Sequence, residues 1–267
     1  MDPPSAQAMT ADPSVIDAAV RFCDDVLASP TIELLCPFES NVKWGEFFVM
    51  WRSRTVTIPI ANPAGAKVLS IVIEVPEYDV FHGSIVTAEG VCVARMSQRI
   101  CQRILTNPAG IATKNQLPVP IEWDSAYFGE VKVRMKRFNC FDQSSVWPDV
   151  IARGPGGSII LDMADRHPTK VKCNKAACFG AFFGFLPGVI CACFASCYPR
   201  EFHIKDSAGE KVGGFETPVS DPKKKKGVLH FEGMTSEQRR LALAAVMFIE
   251  GARASAKPKL NGYGGGP

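Results

Sequence analysis

The sequence has few residues that could carry general acid–base or metal chemistry. Only four of its 267 residues are histidines, and each is isolated in the chain: His82, His167, His203 and His230. It contains no Gly-x-Ser-x-Gly nucleophile motif and no His-Glu-x-x-His metal motif. The sequence therefore predicts a non-enzymatic protein that holds neither a metal nor another cofactor.

The sequence also lacks a large excess of positive or negative charge. Thirty Lys and Arg residues stand against 27 Asp and Glu residues, so the formal net charge is only +3. The aromatic residues do not interleave with basic ones in the way that RNA-reading strands require. We therefore expect no nucleic-acid partner, and any attraction to phosphate must come from local clusters of cations.

The N-terminal residues show no secretory signal pattern, although the chain has ten cysteines. Cysteines in a chain of this size without such a signal are typical of reduced thiols and not of a disulfide framework. We therefore expect a cytosol-facing or organellar protein that is not secreted.

A long apolar run lies near the end of the chain. Thr235 followed by Gln238 is typical of a capping box, and Gly251 is placed to end the helix that follows. Between them, Leu241 to Ile249 is apolar without interruption, so the helix has no solvent face. The run covers on the order of 14 Å, which is too short to cross a bilayer. We expect protein to surround it.

Turn motifs that end in glycine recur between strand-like segments. Because the last residue of such turns needs a positive φ, they predict hairpins and an antiparallel sheet. The turns are Asn62 to Gly65, Thr87 to Gly90, Asn107 to Gly110 and Asp206 to Gly209. Hairpins followed by an apolar helix predict a mainly β fold, a closed antiparallel barrel threaded by its C-terminal helix.

Composition divides the chain into four parts. A helix capped by Ser14 is expected to run to about Ala28, and its apolar stripe consists of Ile16, Ala19, Val20, Cys23 and Leu27. The parts are a disordered tail (1–13), an N-terminal helix and linker (14–40), a barrel with its helix at 235–251 (41–252), and a flexible tail (253–267).

One family resemblance is carried by the C-terminal third. Cys191-Ala-Cys193 and Cys197 precede Glu201-Phe-His-Ile-Lys-Asp-Ser-Ala-Gly-Glu-Lys-Val-Gly213, a loop, a strand and the apolar helix. This order resembles the phospholipid scramblases over about residues 190–252, and more broadly the tubby-like fold. The resemblance implies a closed barrel around a hydrophobic helix and association with membranes. Scramblases carry an acidic, calcium-associated loop where this chain has Ser220-Asp-Pro-Lys-Lys-Lys-Lys-Gly227, so calcium is not expected.

Two basic clusters are candidates for binding anionic phospholipid. Along one strand, Lys132, Arg134 and Lys136 alternate with apolar residues, which places three cations about 7 Å apart on one face. Lys223, Lys224, Lys225 and Lys226 form an expected hairpin tip, where each cation could contribute about 1 kcal/mol near an anionic leaflet. Either cluster could equally be an ordinary solvated surface.

An uncharged segment, Ala176 to Tyr198, allows three interpretations: buried strands and a hairpin, an acylated or inserted loop, or a spanning helix. It contains Cys191, Cys193 and Cys197. The resemblance makes these cysteines candidates for palmitoylation, and the alternatives are buried free thiols or a weak zinc motif.

Two functions therefore remain open. The first is a membrane-associated, scramblase-like protein that binds anionic phospholipid and could move lipid between leaflets. The second is a non-catalytic structural or adaptor subunit of a larger membrane assembly, which reuses the barrel and binds protein partners.

Overall fold

The structure is a computed structural model that describes residues 12–35, 37–40, 54–62, 64–77, 80–99, 118–133, 149–165, 201–217 and 226–255. Within these ranges it contains two α-helices and thirteen strands. The helices are α1 (Pro13–Leu27) and α2 (Ser236–Ser255). The strands are β1 (Thr31–Leu35), β2 (Phe38–Ser40), β3 (Arg54–Ala61), β4 (Lys67–Glu77), β5 (Val80–Thr87), β6 (Cys92–Arg99), β7 (Val119–Trp123), β8 (Ala126–Val133), β9 (Val150–Arg153), β10 (Ile160–Asp165), β11 (Glu201–Lys205), β12 (Lys211–Glu216) and β13 (Lys226–Phe231).

Twelve of the described strands close into an antiparallel barrel. From β3 to β13 each strand pairs with the next one in the chain. β1 closes the ring, because Thr31 to Leu35 pair with β13 while Glu33 and Leu34 also pair with Ala61 and Ile60 of β3. The short β2 adds to β3 beside it. The expected mainly β fold with a closed antiparallel barrel is confirmed.

The predicted turns form where the structure describes them. Gly65, Gly90 and Gly209 each have a positive φ, of 80°, 86° and 84°. The backbone N–H of each donates to the first residue of its turn, at 2.8 to 3.1 Å. The fourth predicted turn, Asn107 to Gly110, lies outside the described residues.

Helix α2 is the most deeply buried element described. Every residue from Leu241 to Ile249 is at most 1% exposed. The helix contacts β4 and β5 and also β8, β9 and β10, which lie in a separate part of the strand order. The capping box is confirmed, since the Thr235 N–H donates to Gln238 Oε1 at 2.8 Å and the Gln238 N–H donates to Thr235 Oγ1 at 3.2 Å.

Gly251 does not end α2, so that prediction was wrong, and the helix continues to Ser255 into the expected tail. A Cβ on Gly251 would lie 2.4 Å from Cε2 of the Phe81 ring. Glycine is needed here because β5 and the helix approach closely, and not because the helix turns out of its path.

The N-cap of helix α1 lies two residues earlier than predicted. Asp12 caps it, because its carboxylate accepts from the Ser14 N–H at 2.9 Å and Pro13 occupies the first turn, where no N–H is needed. The predicted Ser14 cap was therefore wrong. On the predicted stripe, Ala19, Cys23 and Leu27 are buried, and Ile16 and Val20 are half-buried.

The N-terminal segment also contributes a strand, β1, to the wall of the barrel. The sequence placed residues 14–40 outside the barrel, as a helix and linker, and started the barrel at residue 41. The structure corrects this boundary, because β1 has a strand partner on each side. Across the described residues, no helix has the length and apolarity that crossing a bilayer requires.

Candidate functional site

The predicted basic strand is partly described, as β8. Val131 is fully buried, and Lys132 follows it on the opposite face, half-buried and opposite Ile151 of β9. This is the alternation that the sequence predicted, and it aims Lys132 away from the core. Arg134 and Lys136 lie outside the described residues.

A carboxylate lies close to Lys132 on the same face. Two residues before it, Glu130 stands opposite Arg153 of β9, and Glu130 Oε1 is 3.5 Å from Arg153 Nη1. The described part of this outer face therefore consists of one lysine beside a compensated pair. Among the described residues of this face, its positive potential depends on Lys132.

The second basic cluster is described only at its last residue. Lys226 begins β13, and its Nζ lies 2.7 Å from Glu33 Oε2 of β1. Exposed ion pairs of this kind contribute at most about 1 kcal/mol, so Glu33 can be exchanged for another anion. Lys223, Lys224 and Lys225 lie outside the described residues, as do Cys191, Cys193, Cys197 and the whole of Ala176 to Tyr198.

Two arginines at the start of α2 bind the N-terminal segment to the barrel. Arg239 donates to the carbonyls of Met234 at 3.1 Å, Leu27 at 2.5 Å and Ser29 at 3.1 Å. Its guanidinium carbon lies 5.2 Å from the centre of the Phe231 ring. Arg239 thus fixes the chain where α1 ends.

The neighbouring Arg240 binds α1 itself. Its Nε donates to Asp24 Oδ1 at 2.7 Å, and its Nη2 donates to Asp24 Oδ2. These hydrogen bonds raise the pKa of Arg240 above its ordinary value. Beside them, burial raises the pKa of the Cys23 thiol to about 12, so this cysteine is an unreactive core residue at neutral pH.

A cleft of about 300 Å³ opens on the outer wall across β4 to β7. One row of its lining residues crosses three strands, with Glu74 opposite His82 and His82 opposite Ser97. His82 Nδ1 lies 2.7 Å from Ser97 Oγ.

A second row, two residues further along, also lines the cleft. Ser84 stands opposite Arg95, and Arg95 stands opposite Glu122. Arg95 Nε lies 2.9 Å from Glu122 Oε2, and these two side chains are 58% and 49% exposed. The thiol of Cys92, which also lines the cleft, donates to the Ala94 carbonyl at 3.4 Å.

The cleft lies where β6 and β7 separate. Their ladder has two pairs, Ala94 with Trp123 and Arg95 with Glu122. Continuing this register would set Ser97 opposite Pro120, which has no N–H to donate. The sequence reasoning missed this site, because His82 and Ser97 meet only through the strand register. The one local signal of this site in the sequence is Pro120, a proline within a strand.

Within the ranges that the structure describes, no three His, Cys, Asp or Glu side chains are grouped closely enough to hold a metal ion. No family model, no curated protein and no solved structure matches this chain. Its function must therefore be argued from its own residues and geometry.

Proposed function

We propose that this chain is a membrane-associated, scramblase-like protein with a tubby-like barrel, and that it binds anionic phospholipid on its outer wall. One observation carries the proposal. The apolar residues of α2 are buried by strands from separate parts of a closed twelve-strand barrel. The family resemblance implies this combination of a barrel and an apolar helix, and in the proposal α2 is the central helix.

Lipid binding is assigned to the face of Lys132. Arg134 and Lys136 would extend that face if the alternation of β8 continues. Three cations beside an anionic leaflet would contribute about 3 kcal/mol in total. Because Glu130 compensates Arg153 on the same face, binding depends on the lysines and on Arg134, and it weakens steeply with salt.

The basic cluster Lys223 to Lys226 is the second site of contact with the membrane in the proposal. Lys226 would exchange its exposed partner Glu33 for a headgroup phosphate, and Lys223 to Lys225 would add to it. Acyl chains on Cys191, Cys193 and Cys197 would hold the protein at the membrane. If lipid moves between leaflets, it would pass along the surface that Ala176 to Tyr198 helps to insert.

A specific observation favours the alternative, a structural or adaptor subunit. Among the described residues, three large apolar side chains are exposed: Val15 (45%), Phe22 (39%) and Tyr127 (59%). Val15 and Phe22 lie seven positions apart on α1, so they share an exposed face, which flanks the buried stripe of Ala19, Cys23 and Leu27. A protein partner could cover that face.

Flotation of the purified protein with liposomes tests the lipid proposal. We expect binding to vesicles that contain anionic phospholipid, none to zwitterionic vesicles, and loss of binding as salt is added. A Lys132→Ala, Arg134→Ala, Lys136→Ala variant should lose most of the binding, as should the variant with alanine at residues 223–226. Lys205→Ala, an exposed lysine at the end of β11, is the matched control and should bind normally.

Absence of binding at low salt, where electrostatic attraction is strongest, would overturn the lipid proposal for the unacylated protein. The adaptor proposal would then be tested by native mass spectrometry of the protein isolated with its partners. Phe22→Asp should release a partner that covers the outer face of α1.

A further inference from the structure

Three side chains of the outer cleft have the types and the order of a nucleophilic site. Glu74, His82 and Ser97 lie directly opposite one another on β4, β5 and β6, with their side chains on the exposed face. Opposite residues of neighbouring antiparallel strands have Cβ atoms about 5 Å apart. A carboxylate, an imidazole and a hydroxyl therefore follow one another across the wall.

The contact between the last two is a hydrogen bond. Ser97 Oγ lies 2.7 Å from His82 Nδ1, within the reach that a general base needs. In the tautomer that carries its hydrogen on Nε2, His82 Nδ1 accepts the hydroxyl hydrogen. Glu74 stands on the other side of His82, on β4.

The backbone N–H of Ser97 is a hydrogen-bond donor beside the hydroxyl. The Asp124 N–H donates to the Val93 carbonyl at 3.0 Å, and Arg95 pairs with Glu122. Because backbone groups alternate in direction along a strand, the Ser97 N–H faces β7 as well. There the ladder has ended, opposite Pro120. An N–H beside the nucleophile can bind the oxyanion that forms when the hydroxyl adds to a carbonyl.

Arg95 defines the kind of substrate. It lies two residues from Ser97 on β6, which is about 7 Å along the strand. Its ion pair with Glu122 is exposed and therefore weak, so a substrate anion can replace the carboxylate. A cleft of about 300 Å³ has the volume of a small-molecule site.

We propose that Ser97 is the nucleophile of a site that hydrolyses small carboxylic esters bearing an anionic group. This activity is independent of the lipid-binding proposal. His82 is the general base, Arg95 binds the anionic group, and Glu74 is a positioning residue that orients the imidazole.

The reaction balances without a cofactor. Ser97 Oγ bonds to the carbonyl carbon while its proton passes to His82 Nδ1. The bond between that carbon and the alcohol oxygen then breaks, and the alcohol leaves with the proton. Water next attacks the acyl-serine, and His82 takes a proton from the water and returns it to Ser97 Oγ. The sum is ester plus water giving acid plus alcohol, with no change in oxidation state.

A fluorophosphonate probe followed by peptide mapping tests the nucleophile. We expect the probe to label Ser97 of the intact protein, and labelling to be lost in Ser97→Ala and in His82→Gln. Ser84→Ala is the matched control, because Ser84 lines the same cleft opposite Arg95 and should leave the labelling unchanged. Near-ultraviolet circular dichroism shows whether each variant is folded.

Ester hydrolysis tests the other roles. A p-nitrophenyl ester with a carboxylate on its acyl chain should be cleaved with a kcat/KM about tenfold above that of p-nitrophenyl acetate, and Arg95→Gln should remove this preference. Glu74→Gln should lower kcat with KM unchanged. Absence of Ser97 labelling in the folded protein, or equal hydrolysis by Ser97→Ala, would overturn the proposal.

Discussion

The two ends of α2 are held by different kinds of contact. At its first turn the capping box closes the helix with local hydrogen bonds, and Arg239 and Arg240 make directed hydrogen bonds to the N-terminal segment. Further along, the helix is held by shape, since Gly251 lies against Phe81 and the Phe81 and Phe248 rings meet edge to face with centroids 5.8 Å apart. One directed bond is also present at this end, from Arg54 Nη2 to the Ala254 carbonyl, but the close packing around Gly251 distinguishes it from the first turn.

The difference shows what each end can tolerate. A hydrogen-bonded end loses individual bonds of about 1 to 3 kcal/mol when a partner is removed, and its neighbours remain in place. A close-packed end has no free volume, so one added methyl group must move a ring. Substitutions at the packed end should therefore have the larger effects.

The largest expected effect is that of Gly251→Ala. Alanine normally gains about 1 kcal/mol over glycine within a helix. Here the added Cβ would meet the Phe81 ring at 2.4 Å, so we expect a net loss of about 3 kcal/mol in the free energy of unfolding, measured by urea denaturation.

Gly83→Ala is the control for that substitution. Its Cβ would meet the flexible Met247 side chain at 2.9 Å, and the loss should be about 1 kcal/mol. If Gly251→Ala were neutral or stabilising, steric fit would not set the position of α2 at this end.

At the hydrogen-bonded end, Arg240→Met should cost about 2 kcal/mol because it removes both bonds to the partly buried Asp24. A double-mutant cycle with Asp24→Asn should give a coupling energy above 1 kcal/mol, by the same order-of-magnitude reasoning. The matched cycle on the exposed pair Arg95 and Glu122 should give about 0.5 kcal/mol. Equal couplings would mean that burial of the first pair adds nothing.

A smaller effect is expected for the capping box. Thr235→Ala removes the acceptor of the Gln238 N–H and should lower the free energy of unfolding by about 1 kcal/mol. Thr235→Ser keeps a hydroxyl and should lower the free energy of unfolding by only about a few tenths of a kcal/mol. Thermal unfolding separates the two, and identical losses would assign the effect to the lost methyl group.

The smallest expected effect is a difference in reactivity between two cysteines of the protein without any substitution. Burial raises the pKa of Cys23 to about 12 and also raises the pKa of Cys92, but only Cys92 is exposed. Native labelling with a maleimide and peptide mapping should therefore modify Cys92 first. Fast modification of Cys23 at neutral pH would show that the hydrogen-bonded end opens readily.

The raised pKa of Cys23 also makes the stability of the protein depend on pH in alkaline solution. The ordinary pKa of an unfolded cysteine is about 8.5. Because the folded-state pKa of Cys23 is higher, its contribution to stability is complete below that ordinary value and is lost as the pH rises toward 12. Labelling of Cys23 in alkali should then follow unfolding.

Sequence reasoning succeeded where structure is local. The capping box and the Asp206 to Gly209 turn are each specified within four residues, and both are confirmed. Contacts between distant parts of the chain, or set by strand register, could not be predicted. Asp24 and Arg240 are 216 positions apart, and His82 meets Ser97 only after a hairpin has fixed which residues are opposite.

Gly251 shows a different limit of sequence reasoning. Glycine near the end of an apolar helix commonly ends it, and glycine is equally suited to a close approach. Only the position of Phe81 distinguishes the two. The outward direction of Lys132 was predictable from alternation, whereas its neighbour Arg153 and the compensating Glu130 were not, because they depend on which strands pair.

The closure of the ring by β1 has a consequence for synthesis on the ribosome. β1 is made early, yet its partner β13 and the buried helix α2 are made last. At about 5 to 20 residues per second, the inward faces of the first strands wait on the order of ten seconds or more before α2 emerges to cover them. During that interval the nascent chain presents open strand edges and an apolar concave face. Binding by a chaperone would then influence the yield of folded protein more than the stability of the finished barrel does.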